Sequence, residues 1–361
     1  MNKFKKIGLS ALCGSLASIS AVNAGSLEVT GSALATYTTL GGQVTGNPIG
    51  MATGLTFTGN GELDGGQTFS VAIAHTNKNG YSSANITLNT NSAGTFKLSS
   101  AEGGAGIGGY DDNMPTAWEE VWDTGIATNA NFQKGVASTT NLSWKSPKIG
   151  GTTFQIAYTP ENDGSSNVKK ATSGGSAAFA SGWDIVLDTG TEDGAINMFV
   201  GGSRTELAKL KTDRDLSGDH EEAVVGLQFK FGPVALGGQI SGERLRTRAL
   251  NTAEYYGNSS WGIAFNVNDS LSVSYSEARH LMTKTHKSSN AELGAESGSV
   301  TYGNWNEYTP KSWMRGDSIQ VAYTIGGVGL KYARTSYDNT AFSFDTKIPR
   351  ESQIVAVSLA F

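Results

Sequence analysis

The sequence predicts an all-β protein, a sixteen-stranded antiparallel barrel that closes on itself and crosses a membrane. Three observations carry that prediction. Short segments alternate between an apolar face and a face of Ser, Thr, Asn, Gln, Ala and Gly, the period-two signature of strands. The links between them take turns, one tight and the next long, as an up-and-down barrel with turns at one rim and loops at the other requires. Aromatic residues collect at two levels on the apolar parity, where the two interfaces of a bilayer favour them.

The chain opens with "MNKFKKIGLSALCGSLASISAVNA", in which Lys3, Lys5 and Lys6 precede a short apolar, small-residue segment. Val22-Asn23-Ala24 supplies a small-x-small cleavage site, so residues 1–24 are predicted to be a secretory signal peptide cut after Ala24. Its apolar core is too short to span hydrocarbon. Cys13 follows Leu12, where a lipoprotein signal would carry a small residue. Cleavage removes the only cysteine, so the mature chain forms no disulfide. It also removes three lysines from a chain whose formal charge is already −5. That acidic balance disfavours nucleic acid as a partner. No Pro-rich or charge-rich linker divides the remainder, and residues 25–361 are predicted to form one barrel.

Alternation starts at once in "LEVTGSALATYT", where Leu27, Val29, Ala33, Ala35 and Tyr37 oppose Glu28, Thr30, Ser32 and Thr36. In "GQTFSVAIAHT", Phe69, Val71 and Ile73 oppose Ser70, Ala72 and Ala74. In "EEAVVGLQFKFG", Ala223, Val225, Leu227, Phe229 and Phe231 oppose Glu222, Gln228 and Lys230. "SIQVAYTIGG", "VGLKYARTSY" and the terminal "IVAVSLAF" repeat the pattern. Sixteen such segments begin near residues 27, 51, 66, 81, 94, 137, 150, 180, 194, 219, 233, 255, 270, 316, 328 and 350. "LDG", "NSA", "PKI", "GTED", "GP", "ND" and "GG" are turn-type links. Between them come longer ones, including 102–136, 161–179, 207–218, 282–315 and 338–349. No stretch after the signal approaches the ~18 apolar residues of a membrane helix, which bears on helical spanning alone.

Phe69, Phe96, Phe154, Phe231, Tyr323 and Phe361 fall near the short-turn rim on the apolar parity, and Tyr37, Tyr158 and Trp183 towards the other. A soluble sandwich or lectin also alternates, yet it needs bulky residues on its buried face and no aromatic rims. Closure is what pairs every backbone group in hydrocarbon.

One stretch stands apart. "GGYDDNMPTAWEEVWD", residues 108–123, gathers Asp111, Asp112, Glu119, Glu120 and Asp123 beside Trp118 and Trp122. The chain as a whole is only 16% charged, against about 25% in an ordinary domain.

The signal segment, the strand count, the long segment after the fifth strand and a final strand ending in Phe361 together resemble the general-diffusion porins of Gram-negative outer membranes. The resemblance covers essentially all of residues 25–361 and implies an outer-membrane location. It implies contact with membrane lipid and lipopolysaccharide, passive passage of ions and small hydrophilic solutes, and a homotrimer. In that family the loop after the fifth strand folds into the lumen and narrows it. The predicted fold is thus a transmembrane barrel with a pore-constricting loop after the fifth strand, and the five carboxylates look like the lip of the constriction. Trp118 and Trp122 are placed to pin that loop to the wall, and Phe361 looks like the signal read by the outer-membrane assembly machinery.

Physics supports the assignment separately. Sixteen strands enclose a channel too wide to discriminate small solutes, so something must fill part of it. A carboxylate cluster in a narrow passage attracts cations and repels anions. Such porins often oppose the acidic loop with arginines on early strands, but here the first four strands carry none. The basic residues on the inward parity are Lys97, Lys145, Lys230 and Lys331, dispersed around the wall. A net cation preference follows. The short "NKNG" link argues against a family-style latch onto a neighbouring subunit.

Other motifs are weaker. "GAGIGG" matches G-x-G-x-x-G through Gly104, Gly106 and Gly109, but "YDDNMP" follows and no βαβ pattern exists, so a flexible lead-in to the loop is expected. "DRDLSGDHEE" sets Asp213, Asp215, Ser217 and Gly218 at calcium-loop spacing. Val224 stands where an EF-hand requires glutamate, leaving at most a weak external calcium site helped by Asp219 or Glu221. No other cofactor is indicated. A hydrolase would want a nucleophile beside a base. No G-x-S-x-G occurs, and His75, His220, His280 and His286 show no metal-ligand spacing and are expected at rims or in loops. The chain is therefore expected not to be an enzyme. A substrate-selective channel is the remaining alternative, with Trp305, Tyr308 and Trp313 as loop aromatics suited to a sugar or peptide.

Overall fold

The computed structural model describes residues 25–41, 46–77, 82–100, 102–137, 139–160, 181–206, 219–245, 253–284, 311–344, 347 and 349–360. Residues 1–24, Asp213, Asp215, Trp305, Tyr308, His286 and Phe361 lie outside them. Sixteen strands run in order: β1 (Ser26–Gly41), β2 (Ile49–Glu62), β3 (Thr68–Thr76), β4 (Ser83–Asn89), β5 (Thr95–Ser100), β6 (Asn141–Lys145), β7 (Thr152–Thr159) and β8 (Gly182–Gly190). Then come β9 (Ile196–Thr205), β10 (His220–Phe231), β11 (Val234–Arg244), β12 (Ala253–Asn266), β13 (Leu271–Lys284), β14 (Lys311–Ile325), β15 (Val328–Tyr337) and β16 (Arg350–Ala360). Each pairs antiparallel with its sequence neighbours, and β1 meets β16 from Ser32↔Ala360 to Gly41↔Glu351 to close the cylinder. Closure leaves no strand edge unpaired, which hydrocarbon demands.

The pleat sorts the side chains as the sequence predicts. On β10, Val225 and Leu227 are exposed on the outer wall while Val224 and Gly226 are buried inward. On β16, Val355, Val357 and Leu359 face out and Ser352, Ile354 and Ala356 face in. The exposed outer set includes Phe69, Phe96, Phe231 and Tyr323 towards one rim and Tyr37, Tyr158 and Trp183 towards the other. Tight turns join β2–β3, β4–β5 and so on to β14–β15, and the other links are longer except β3–β4, which is as short as β6–β7. At Gly326-Gly327 the turn has two residues, and Gly326 takes φ +57°, the left-handed value that the first position of a II′ hairpin needs.

Three expectations are corrected. Strand β14 begins at Lys311 rather than near 316, and Trp313 is an exposed residue of its outer face, not a loop aromatic. Arg315 and Asp317 share that outward parity, which hid the alternation. His280 is a buried inner-wall residue within β13, whereas His220 opens β10 and His75 lies one residue before the end of β3. Finally, the inner wall is not uniformly small and polar. Val186, Phe199 and Val224 form one buried inward cluster, and Met282, Met314 and Tyr337 belong to another with Val121, Ile126 and Phe342. Both lie where the segment between β5 and β6 rests on the wall.

Candidate functional site

The segment of residues 102–137, between β5 and β6, folds into the barrel. Its first arm begins with a 3-10 turn over Gly106–Tyr110 and reaches a second over Val121–Asp123. The wall holds that arm strand by strand, mostly through side chains that grip its backbone. Ile107 N–H donates to Asp184 Oδ2 on β8 at 3.1 Å, and the Tyr110 hydroxyl donates to Asp188 Oδ2 at 3.0 Å. Gln228 on β10 donates to the Asn113 carbonyl, and Gln239 on β11 donates to the Asp111 carbonyl at 2.6 Å. Ala117 N–H donates to Ser274 Oγ on β13 at 2.8 Å. Trp118 and Glu119 N–H groups share Gln320 Oε1 on β14 at 3.0 and 3.1 Å. The Thr124 hydroxyl meets that of Thr335 on β15 at 2.6 Å, and Ser352 on β16 donates to the Thr124 carbonyl at 3.1 Å. A return arm comes back through Asn131, whose carbonyl accepts from Asn258 on β12 at 2.7 Å, to Val136, whose N–H meets Asp184 again at 3.2 Å.

Asp184 therefore gathers the start and the end of the loop on one carboxylate. Gly106 (φ +56°) and Gly135 (φ +53°) flank it, and a Cβ at either would strike its side chain. The glycine-rich lead-in is an ordered turn docked on Asp184, not a slack tether, because left-handed backbone and close approach both call for glycine.

The five carboxylates come together on this loop. Asp112 and Asp123 are exposed, Asp111 and Glu119 half-buried, and Glu120 buried. Burial, then repulsion from Asp112, raises the Asp111 carboxyl to about 6. Burial, with repulsion from Asp112, Glu119 and Asp123 added, raises Glu120 to about 8. Glu119 and Asp123 are also raised, first by burial and then by their acidic neighbours. Such crowding of like charges makes each proton harder to remove. Two lysines offset it: Lys134 on the return arm draws Asp111 down, and Lys331 on β15 draws Glu119 down.

Of the four basic residues expected on the inward parity, Lys331 alone joins the cluster, with its Nζ 5.6 Å from the centre of the Trp118 ring. Lys97 pairs with Glu102 at 2.6 Å, and Lys145 and Lys230 are exposed at the ends of β6 and β10. Trp122 packs 4.3 Å from Phe132 and 5.9 Å from His280, against the β13–β15 wall. His280 in turn is fixed by Asn258 at 2.8 Å and the Tyr337 hydroxyl at 3.2 Å. Asp219 is paired with Arg204.

From Ala105 to Asn131 the described side-chain hydrogen bonds run to β8 and β10–β16, so the loop lies along that half of the wall. The inward parity of β1–β5 opposite is mostly hydroxyl, amide and small, with Ser32, Thr36, Thr56, Thr58, Asn85 and Thr87 among it, and it carries Glu28, Glu62 and a single base, Lys97. The first arginine of the whole chain is Arg204.

Against this geometry, a family model described as Gram-negative porin matches residues 8–296. The chain belongs to the Gram-negative porin family. It is an outer-membrane, multi-pass β-barrel and a diffusion channel. Solved structures share the fold at low identity. An anion-selective porin from Comamonas acidovorans is 13% identical over 93% of this chain and 100% of its own, with TM-score 0.60. OmpF of Salmonella typhi in complex with daunomycin is 12% identical over 94% and 98%, also at 0.60. OmpT of Vibrio cholerae, expressed in the outer membrane, is 11% identical over 95% and 100%, at 0.60. Among curated proteins, no sequence relative matches.

Reading the sequence alone missed the residues that hold this porin's loop. Asp184, Gln228, Gln239, Ser274 and Gln320 were legible only as inward polar positions. An aspartate in the middle of a strand with apolar neighbours was the one signal on offer, since a carboxylate buried there needs partners.

Proposed function

We propose that this porin is a cation-preferring, non-enzymatic pore whose narrow passage runs between the acidic edge of the inward loop and the hydroxyl-lined wall of β1–β5. The observation that carries it is the excess of carboxylates on the loop with no arginine on the first eight strands to oppose them. Five carboxylates share one stretch, while the first arginine comes only at β9. In a water-filled passage with low-dielectric walls, that imbalance enriches cations over anions. Asp111, Asp112, Glu119, Glu120 and Asp123 line the constriction in this reading, Trp118 and Trp122 fasten it, and Lys97, Lys145, Lys230 and Lys331 soften the field from the wall. Comamonas porin is described as anion-selective, and at 13% identity the likeness concerns the fold, so preference is argued from this chain's own charges. The substrate-selective alternative is weakened by Trp313, which stands on the outer face.

The remaining expectations belong to the same proposal: residues 1–24 as an export signal, Phe361 as the assembly signal, lipopolysaccharide at the outer rim and a homotrimer. Gly31, Ala33 and Ala35 on the outward parity of β1 support the trimer, since they offer lipid little and a second copy a flat surface.

Reversal potentials in planar bilayers under a salt gradient test the main claim. Wild type should favour cations, and replacing all five carboxylates by their amides should move the potential towards the anion value. An unmoved potential would show that these groups do not line the narrow path.

A further inference from the structure

On the inner wall, β10 and β11 bring a histidine and two glutamates to one point. His220 and Glu222 are two apart on β10 and so share its inward face, and Glu243 on β11 is the direct cross-strand partner of Glu222. Side-by-side carboxylates in a sheet repel unless a cation lies between them. Here both are buried, Glu222 at 6% exposure and Glu243 at 7%, and among the described residues neither pairs with a lysine or arginine side chain. His220 Nε2 is 2.9 Å from Glu243 Oε1 and 3.9 Å from Glu222 Oε1, with all three ligand atoms within 4.8 Å of one another. That nitrogen is itself buried, yet it lacks the alignment of a hydrogen bond to either oxygen.

We propose that His220, Glu222 and Glu243 form a site for a divalent first-row cation of the zinc type. One imidazole and two carboxylates are a common donor set for such an ion, and donors ~2.0–2.2 Å from it stand roughly 3.3 Å apart. Small side-chain rotations bring the three atoms to that spacing. Calcium fits poorly, since it takes 6–8 oxygens and gains nothing from imidazole. The carboxylate oxygens are already oriented from outside, as metal-bound carboxylates are. Glu222 accepts from the Lys134 and Gly135 N–H groups at 3.0 and 2.6 Å, and Glu243 accepts from the Asn131 side-chain amide. All three donors lie on the return arm of the inward loop. A bound ion therefore fastens that arm to the wall, away from the acidic edge.

Calorimetric titration of the folded protein in detergent, stripped with a chelator and then given zinc chloride, tests this. Metal content is counted by mass spectrometry, and calcium chloride is titrated in parallel. Wild type should bind one zinc per chain and no calcium here. His220→Ala should abolish binding, Glu243→Gln should weaken it at least 100-fold, and Asn131→Ala by about 10–100-fold, the usual range for an orienting partner. The quintuple amide variant of the loop should keep its zinc, which separates this site from the constriction. If His220→Ala fails to fold, His220→Gln takes its place, with cobalt(II) absorption reporting the lost imidazole ligand. No zinc in wild type, or zinc held equally by the His220 and Glu243 variants, overturns the assignment.

Discussion

Ion preference should depend steeply on pH between about 9 and 5. Glu120, raised to about 8, and Asp111, raised to about 6, are neutral below those values and charged above them. Cation preference is thus fullest at high pH and is lost stepwise as pH falls through the two values. The size follows from Coulomb's law. A unit charge ~7 Å from the ion path contributes ~0.6 kcal/mol in water, cut to ~0.3 kcal/mol by 0.1 M salt. Acting oppositely on cation and anion, each charge changes their permeability ratio about threefold, and two charges about eightfold. Reversal potentials in a fixed potassium chloride gradient, stepped from pH 9 to pH 5, measure it. Glu120→Gln should remove the upper step and Asp111→Asn the lower one. A ratio that stays flat across this range in wild type would refute the placement of both groups beside the ion path.

Two further outcomes test how the loop is held. Asp184→Ala deletes the acceptor of the Ile107 and Val136 N–H groups, at roughly 1.5–3 kcal/mol for each bond to a carboxylate. It should raise open-channel conductance and current noise, and single-channel traces identical to wild type would deny Asp184 its anchoring role. Lys331→Ala removes the cation that offsets Glu119 and lies over Trp118. It should increase cation preference at pH 7, a change of the sign opposite to the carboxylate variants, and a decrease in the same gradient measurement would contradict it.

What the sequence disclosed and what it withheld divide along the pleat. The outer wall is governed by one requirement, apolar contact with lipid, so alternation located all sixteen strands, and most starts fell within two or three residues. The misses have local causes. β6 begins at Asn141 rather than 137, because Thr139 and Thr140 still belong to the loop's exit turn. At the start of β14, Arg315 and Asp317 on the outward parity broke the signal. The inner wall answers to a partner, the loop, whose path is not encoded by any period. Val186, Phe199 and Val224 read as breaches of the polar parity until Ile107 and Tyr110 are seen packed on them, Tyr110 with its ring 4.8 Å from that of Phe199. The acidic stretch was legible as composition, whereas the hand that grips the loop, Asp184 and Gln320 above all, is a set of contacts 48 to 228 residues apart in sequence.

That division has a functional reason. A loop fixed by apolar burial alone would slide, because hydrophobic contact has no direction. One fixed by amides and carboxylates gripping its backbone N–H and C=O groups has a defined register along β8 to β16, since hydrogen bonds demand alignment. Gripping the backbone also leaves loop side chains free, so the carboxyl groups of Asp112 and Asp123 remain exposed while their neighbours' main chain is held. Charge at the edge can therefore change in evolution or by mutation without unmooring the loop, and the wall can lose an anchor without altering the charge. Variants of the five carboxylates should accordingly move selectivity at nearly constant conductance, and variants of Asp184 or Gln320 should move conductance and noise at nearly constant selectivity. A carboxylate-to-amide change that doubled conductance, or an anchor change that inverted ion preference at normal conductance, would show that edge and anchor are one device rather than two.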